Sequence, residues 1–440
     1  MTRDKKEQKI RKRFSFSDLL LSAIGSTIGA GVFILLPIGI NMAGLGIIVA
    51  LLLASFTTIL VALNYGELAS SLPLEGGGYS WVAKAFKKDS SSFIVGWLVW
   101  LGNMGYVALS ALGFSMYFGM LFNITNPIPL ALLSLLFFIV INSITMRTSI
   151  RIEKILTIDI LIVFLIFWIY LGTGFNPINI QNAFYQTRFI PIFTVASLLY
   201  VLFIGFEAIS TVSAEAKKPT DLPKSFIYCI IIVTFIYIIT SLLIIGAIFP
   251  FNIQNKNIPL LGISGSLAPF IVLAACFATL TSMNAGLIAA SRNAYALSRD
   301  DMIPRFIRKL SRKFSTPFIA VILSGLISGL FIMTNAVEYV ASIADFGYLI
   351  CISMVCSSVM FLRIKEPRLK RPYRVPLYPY TSLLGMILPI FLLFFLEKNA
   401  INTGLLWILI GFFIYNFYKL IKSETRNKKG KIYRIFRRFL

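Results

Sequence analysis

Long uncharged apolar runs, separated by short basic clusters, constrain this chain more than any other feature. A run of about 20 apolar residues matches the hydrocarbon core of a bilayer. Inside lipid the main chain must satisfy its own hydrogen bonds, so such runs fold as helices. Only 13% of the residues are charged and 58% are hydrophobic, whereas about a quarter of a soluble domain is charged. The expected fold class is an all-α integral membrane protein. Twelve transmembrane helices are read at 18–41, 46–71, 92–122, 129–146, 155–174, 192–213, 225–249, 266–290, 316–334, 338–362, 378–396 and 402–420. The run 92–122 exceeds a perpendicular crossing and is expected to tilt.

The net charge of +23, from 41 Lys and Arg against 18 Asp and Glu, invites a nucleic-acid reading. The distribution opposes it, because the basic residues fall in loops between spans and no nucleic-acid motif is present. An even span count puts both termini on one side. With cytoplasmic termini only Arg188, Lys256 and Lys398 fall outside, which leaves 38 of the 41 basic residues inside, as the positive-inside rule requires. The expected location is the cell membrane, multi-pass, with lipids rather than nucleic acid around it. Residues 1–17 form a basic cytoplasmic terminus, and the run after them reads as the first span and not a removed signal peptide. The basic tail 421–440 suits either the anionic inner leaflet or plain solvation. Histidine is absent, and the four cysteines (Cys229, Cys276, Cys351 and Cys356) lie in apolar runs without metal spacing. Neither a disulfide framework nor a metal or other cofactor is expected.

The first span contains GSTIGAGVF, residues 25–33. Each interior glycine weakens a helix by about 1 kcal/mol relative to alanine. A helix interrupted at mid-membrane must line a cavity or be buried in protein. Its second half then points a positive N-terminus at the gap, which suits a carboxylate, and the first half ends in carbonyls that suit an ammonium or a metal cation. Close helix packing through small residues is the competing explanation. The sixth span shifts the balance. It reads YVLFIGFEAISTVS at 200–213, with Glu207 two residues after Gly205. A carboxylate there is costly, at least about 2.5–3.5 kcal/mol on insertion scales. Interruptions at corresponding places in two five-span halves, 18–174 and 192–362, point to an inverted-repeat secondary transporter. The helices in 378–420 stand outside the repeats.

Four ordered blocks carry a family resemblance over about residues 15–375. They are GSTIGAGVFILLP, YGELASSLPLEGGGYSWVAKAF, FIGFEAISTVSAEAKKPTDLPKSF and TSMNAGLIAASRNAYALSRDDMIP. The chain resembles an amino acid permease of the amino acid–polyamine–organocation superfamily. The resemblance implies a LeuT-type fold, a 5+5 inverted repeat with discontinuous helices 1 and 6 and two peripheral C-terminal helices. It also implies that the amides of Gly29, Ala30 and Gly31 hold a substrate carboxylate. Carbonyls of Thr27, Val201 and Ile204, beside Gly205, would hold the amino group, with Phe203 as an aromatic gate. Two departures stand out. Some such permeases carry serine where this chain has Ala30. Some carry a fifth-span lysine near the place of Ile160, which is absent here, so a lysine-based proton switch is not transferred.

Glu207 and Asp159 are the proton or coupling candidates, because desolvation makes protonation of an intramembrane acid accessible. Glu207 is read as a proton carrier first and as a brace for the unwound segment second; for Asp159 and Asp345 a structural reading weighs as much as a functional one. Glu67 is expected to anchor the cytoplasmic end of the second span and to join an inner gate with loop arginines. Thr281 and Ser282 form a possible sodium site, against ordinary bonding to the preceding turn. Asn103 and Met104 reach pocket depth, and the small Val201 suggests an apolar pocket. The expected function is secondary active transport of an amino acid by ion-coupled symport, with a proton ahead of sodium. An amino acid exchanger is the alternative, followed by a membrane-embedded enzyme or a sensor.

Overall fold

A computed structural model describes residues 14–436 of the chain, apart from 30, 75–76, 87–88, 123, 145–149, 186, 188, 249–267, 312 and 315. Ala30, Lys87, Lys88, Arg188, Lys256, Arg312 and the last four residues of the tail therefore lie outside the described residues. The apolar runs are helical. Among the described residues the one strand-like pairing is a bridge between Phe14 and Ala216. The helices are α1 (Phe16–Thr27), α2 (Gly31–Ala43), α3 (Ile47–Ser71), α4 (Gly77–Phe86), α5 (Asp89–Leu121), α6 (Pro127–Ile144), α7 (Ile150–Thr173) and α8 (Pro177–Tyr185). They continue as α9 (Phe189–Leu198), α10 (Asp221–Ile248), α11 (Ala268–Arg299), α12 (Phe318–Met333), α13 (Val337–Lys365), α14 (Tyr380–Leu393) and α15 (Lys398–Phe436). Two 3-10 segments, Tyr200–Phe203 and Phe206–Glu215, follow α9.

Six described helical stretches are long and apolar enough to cross a bilayer, and two bent pairs raise the number to eight. One pair is Phe189–Leu198 with Tyr200–Ser210, bent by 46°. Shorter apolar helices, Phe318–Met333 and Tyr380–Leu393, stand beside them. Large exposed apolar side chains such as Leu133, Phe137, Leu165, Phe412 and Phe417 suit contact with acyl chains.

Lipid tails are as apolar as leucine, so close backbone approach and interhelical hydrogen bonds hold membrane helices together. Both operate here. A Cβ on Gly105 of α5 would lie 2.9 Å from the Ala344 amide of α13, and one on Gly347 of α13 would strike the Leu98 carbonyl of α5. Ser55 of α3 bonds Thr234 of α10 at 2.6 Å, and Asn142 of α6 donates to Asn284 of α11 at 2.8 Å. Trp97 of α5 and Trp407 of α15 stack at 4.5 Å and exchange indole N–H bonds with each other's carbonyls. The aromatic stripe of α7 packs inward: Phe164 and Phe167 are buried, Phe164 stacks on Phe33 of α2, and Trp168 donates to Thr240.

Candidate functional site

The first span is broken where its glycines stand. A capping box between Ser15 and Asp18 starts α1, satisfying otherwise orphaned amides of its first turn. The helix stops at Thr27, where Ile28 is extended (φ −77°, ψ 98°), and resumes at Gly31. Neither the Gly29 nor the Gly31 amide has a hydrogen-bond partner among the described residues. The second break follows α9. Ile204 is extended and Gly205 has φ +127°, a backbone that side chains of L-residues rarely adopt.

The two breaks touch. A Cβ on Gly205 would run into the Ser26 carbonyl and lie 2.9 Å from the Thr27 Cα. Gly31 abuts the Leu202 side chain. Tyr237 of α10 stitches the breaks further, since its hydroxyl donates to the Leu202 carbonyl at 2.9 Å and reaches the Thr27 carbonyl at 3.4 Å. Glu207 accepts the Gly205 amide at 2.8 Å, so the carboxylate is tied to the main chain at the second break. At the far end of the same half-helices, Phe14 and residues 215–217 exchange main-chain bonds of 3.2 and 2.9 Å. Helix α1 and the segment Phe206–Glu215 are thus joined at both ends.

Access differs across the breaks. On the side of Phe16, Gly25, Ser26, Ile204, Gly205 and Glu207 are half-buried and Ala208 is exposed. On the other side Val32–Leu36 and Leu198–Phe203 are buried. Phe203 is fully buried and meets Tyr237 edge to face at 5.6 Å.

The sequence pattern of the amino acid permease family matches residues 14–415. The chain belongs to that family. The permease is similar to the branched-chain amino acid permease BcaP of Bacillus subtilis, 29% identical over 95% of both chains. It is also similar to the methylthioribose transporter of that organism, 26% identical over 96% of both chains. The amino-acid permease RocC, again of B. subtilis, is 28% identical over 96% of this chain and 98% of its own length. The family and these relatives are transporters and not enzymes, and the apolar helices make the permease a multi-pass membrane protein.

The structure distributes the remaining expected residues unevenly. Val201, Phe203, Ile204 and Gly205 gather at the breaks with Thr27, Gly29 and Gly31. The Val201 carbonyl accepts the Ile204 amide at 3.3 Å, which leaves one of its two lone pairs. Asn103 is 5% exposed; it accepts the Tyr348 hydroxyl at 2.9 Å and donates to Val99 at 2.8 Å. Met104 is buried, and its carbonyl accepts Ser328 at 3.1 Å. Ser282 stands by the first break, 2.9 Å from where a Gly29 Cβ would lie. Thr281 instead donates to Phe277 and Ala278 of its own helix at 3.1 and 2.9 Å, the ordinary back-bonding of a membrane threonine. Asp159 is exposed on α7, beside the exposed Ile158 and Ile162.

Glu67 anchors α3 as expected. It is 2% exposed and receives Arg363 through both guanidinium nitrogens Nε and Nη2, Arg371 at 3.2 Å and the Val375 amide at 2.8 Å. Bidentate arginine pairing of this kind is among the strongest side-chain contacts. Arg363 also lies over the Tyr378 ring, 3.9 Å from its centroid. Tyr373 packs over Gly66 nearby; burial first, and then the charge of Glu67, pushes its phenol up to about 12. It stays neutral at physiological pH and leaves the two arginines facing a single carboxylate.

Two residues of the site were not singled out from the sequence. The hydroxyl of Tyr106 occupies the space a Gly29 side chain would need, and Tyr237 bridges the breaks. Tyr106 follows the candidate Asn103 by three residues, so helical spacing alone places it near the same face. Tyr237 carries one hint, a phenol in the middle of an apolar span that needs a hydrogen-bond partner when buried.

Proposed function

We propose that the permease carries an amino acid across the cell membrane by alternating access, binding both ends of the zwitterion at the two breaks. The carboxylate lies on the unpaired amides of Gly29 and Gly31, with Ala30 between them. The ammonium faces the carbonyls of Thr27, Val201 and Ile204 at the end of α1 and along the second break. Contact between the breaks at Gly205 carries this reading, because it brings a positive helix start and a set of carbonyls within the span of one small molecule.

The architecture that serves this cycle is a LeuT-type fold of twelve spans. Residues 18–174 and 192–362 form the inverted repeats, and 378–420 form two peripheral helices. With cytoplasmic termini, the half-buried groups around Gly25, Ser26 and Glu207 open toward the cytoplasm, and the conformation is inward-facing. The side chains at the breaks, Val201, Leu202, Phe203 and Ile204, are apolar, which favours a neutral, apolar substrate side chain such as a branched-chain amino acid. That choice agrees with the name of the BcaP relative, a branched-chain amino acid permease. A proton is the coupling ion, with Glu207 as its carrier; the back-bonded hydroxyl of Thr281 weakens the sodium alternative.

Purified permease in liposomes, given radiolabelled leucine, isoleucine and valine under imposed gradients, tests this. An acid-outside gradient drives accumulation, a sodium gradient does not, and Glu207→Gln exchanges substrate without accumulating it. Exchange that no gradient converts into accumulation makes the protein an antiporter. Absence of flux for every amino acid overturns the transport reading.

A further inference from the structure

Asp345 of α13 is fully buried, and neither of its carboxylate oxygens has a hydrogen-bond partner. Among the described residues no lysine or arginine pairs with it either. The backbone of the preceding residue, Ala344, packs directly on Gly102 and Gly105 of α5, so α13 lies close against α5 at this level. Two phenols stand near Asp345, Tyr348 on its own helix and Tyr200 in the 3-10 segment before the second break, while the acids Glu338 of α13 and Glu397, just ahead of α15, neighbour each other at the Val337 end. The Tyr348 hydroxyl is committed to Asn103. Helix α9, which also packs against α13, carries no titratable side chain. The charged groups that α3, α14 and the loop before it gather on α13 lie at its Arg363 end, in the Glu67 cluster. The Lys84–Glu366 pair that α4 makes with the residue after α13 is at that same end.

An ionised carboxylate without partners does not persist in such a place; the group neutralises instead. Asp345 is therefore protonated in the arrangement described here. It lies eight residues from the Val337 end of α13, about 12 Å along the helix, on the side of the breaks where Val32–Leu36 and Leu198–Phe203 are sealed. Under the alternating-access reading, on which this inference rests, that side opens in the other half of the cycle and water reaches the carboxyl.

We propose that Asp345 is a proton-binding site controlling closure of the outer pathway, which binds its proton while hydrated and enters the dry interior of the helix bundle only as the neutral acid. Proton binding at Asp345 then favours the closed outer side in the way any ligand favours the state that binds it better. The ionised form holds the outer side open.

Exchange of radiolabelled against unlabelled substrate in liposomes, with pH varied on the Val337 side alone, tests the site. Wild-type exchange falls with rising pH, approaching about ten-fold per unit once Asp345 is mostly ionised, as one required proton dictates. Asp345→Asn, a neutral mimic of the acid, removes this slope and keeps exchange near its acid-side rate. Asp345→Ser replaces it if the amide does not fold. The infrared carbonyl stretch of a protonated carboxylic acid supplies an independent reading on wild-type protein at neutral pH, and the substitution deletes one such band. An unchanged pH slope in the variant, or an unchanged band, overturns the proposal. If neither protein moves any substrate, the transport reading fails, while the infrared band still decides whether Asp345 holds a proton.

Discussion

Gly205→Ala is expected to reduce transport about 100-fold or more, the scale on which displacement of binding groups by 1 Å acts. The position combines two demands. Its φ of +127° costs any other residue about 1–3 kcal/mol. A methyl group would also strike the carbonyl and carbon of Ser26 and the Cα of Thr27. These are backbone atoms, and no rotamer change moves them aside. The breaks must separate, which pulls the Gly29 and Gly31 amides away from the carbonyls at 201–204. Measured as substrate affinity and initial uptake in liposomes, the loss appears in both. Gly172→Ala is the control. No atom lies within 4 Å of where its Cβ would go, so uptake stays at the wild-type rate. Normal affinity in Gly205→Ala would show that the contact between the breaks is dispensable.

Glu67→Ala is expected to destabilise the protein by about 3–5 kcal/mol, the cost of leaving buried charges without their partner. Arg363 and Arg371 have side chains only 19% and 7% exposed, against 3% for Glu67, so little solvent screening softens the loss. The Val375 amide loses its acceptor as well, which frees the loop after α13 from α3. Thermal unfolding in detergent measures the effect. Asp301→Asn provides the comparison, since it breaks the surface pair with Arg305, whose side chain is 58% exposed. Exposed pairs contribute about 1 kcal/mol or less. Equal shifts in the two variants would contradict the buried-cluster account.

Both helix breaks were legible because glycine at mid-span has few other uses: Gly29, Gly31 and Gly205 mark where the chain leaves the helix. Glu207 was legible as a costly acid beside a break, and Glu67 as an acid at the end of a span with loop arginines to meet. What the sequence hides is which helices become neighbours. Tyr106 and Tyr237 look like any tyrosine in an apolar span until α5 and α10 are set against the first break. Asn103 reads as a pocket residue, yet Tyr348 from a distant helix takes its carbonyl oxygen. Asp159 and Asp345 have similar local sequence surroundings and opposite environments, one exposed on α7 and the other fully buried on α13. Span periodicity does not separate these cases, because α7 and α13 are both apolar nearly all round.

Competition binding by the purified permease tests the central claim most directly, with leucine set against its methyl ester, which lacks the carboxylate, and N-acetyl-leucine, which lacks the ammonium. Leucine displaces radiolabelled substrate, and each analogue binds at least about 100-fold more weakly, because a buried set of amides or carbonyls is left without its partner. An ester or N-acetyl derivative that competes as well as leucine would mean that the main-chain groups at the two breaks do not hold the ends of the substrate.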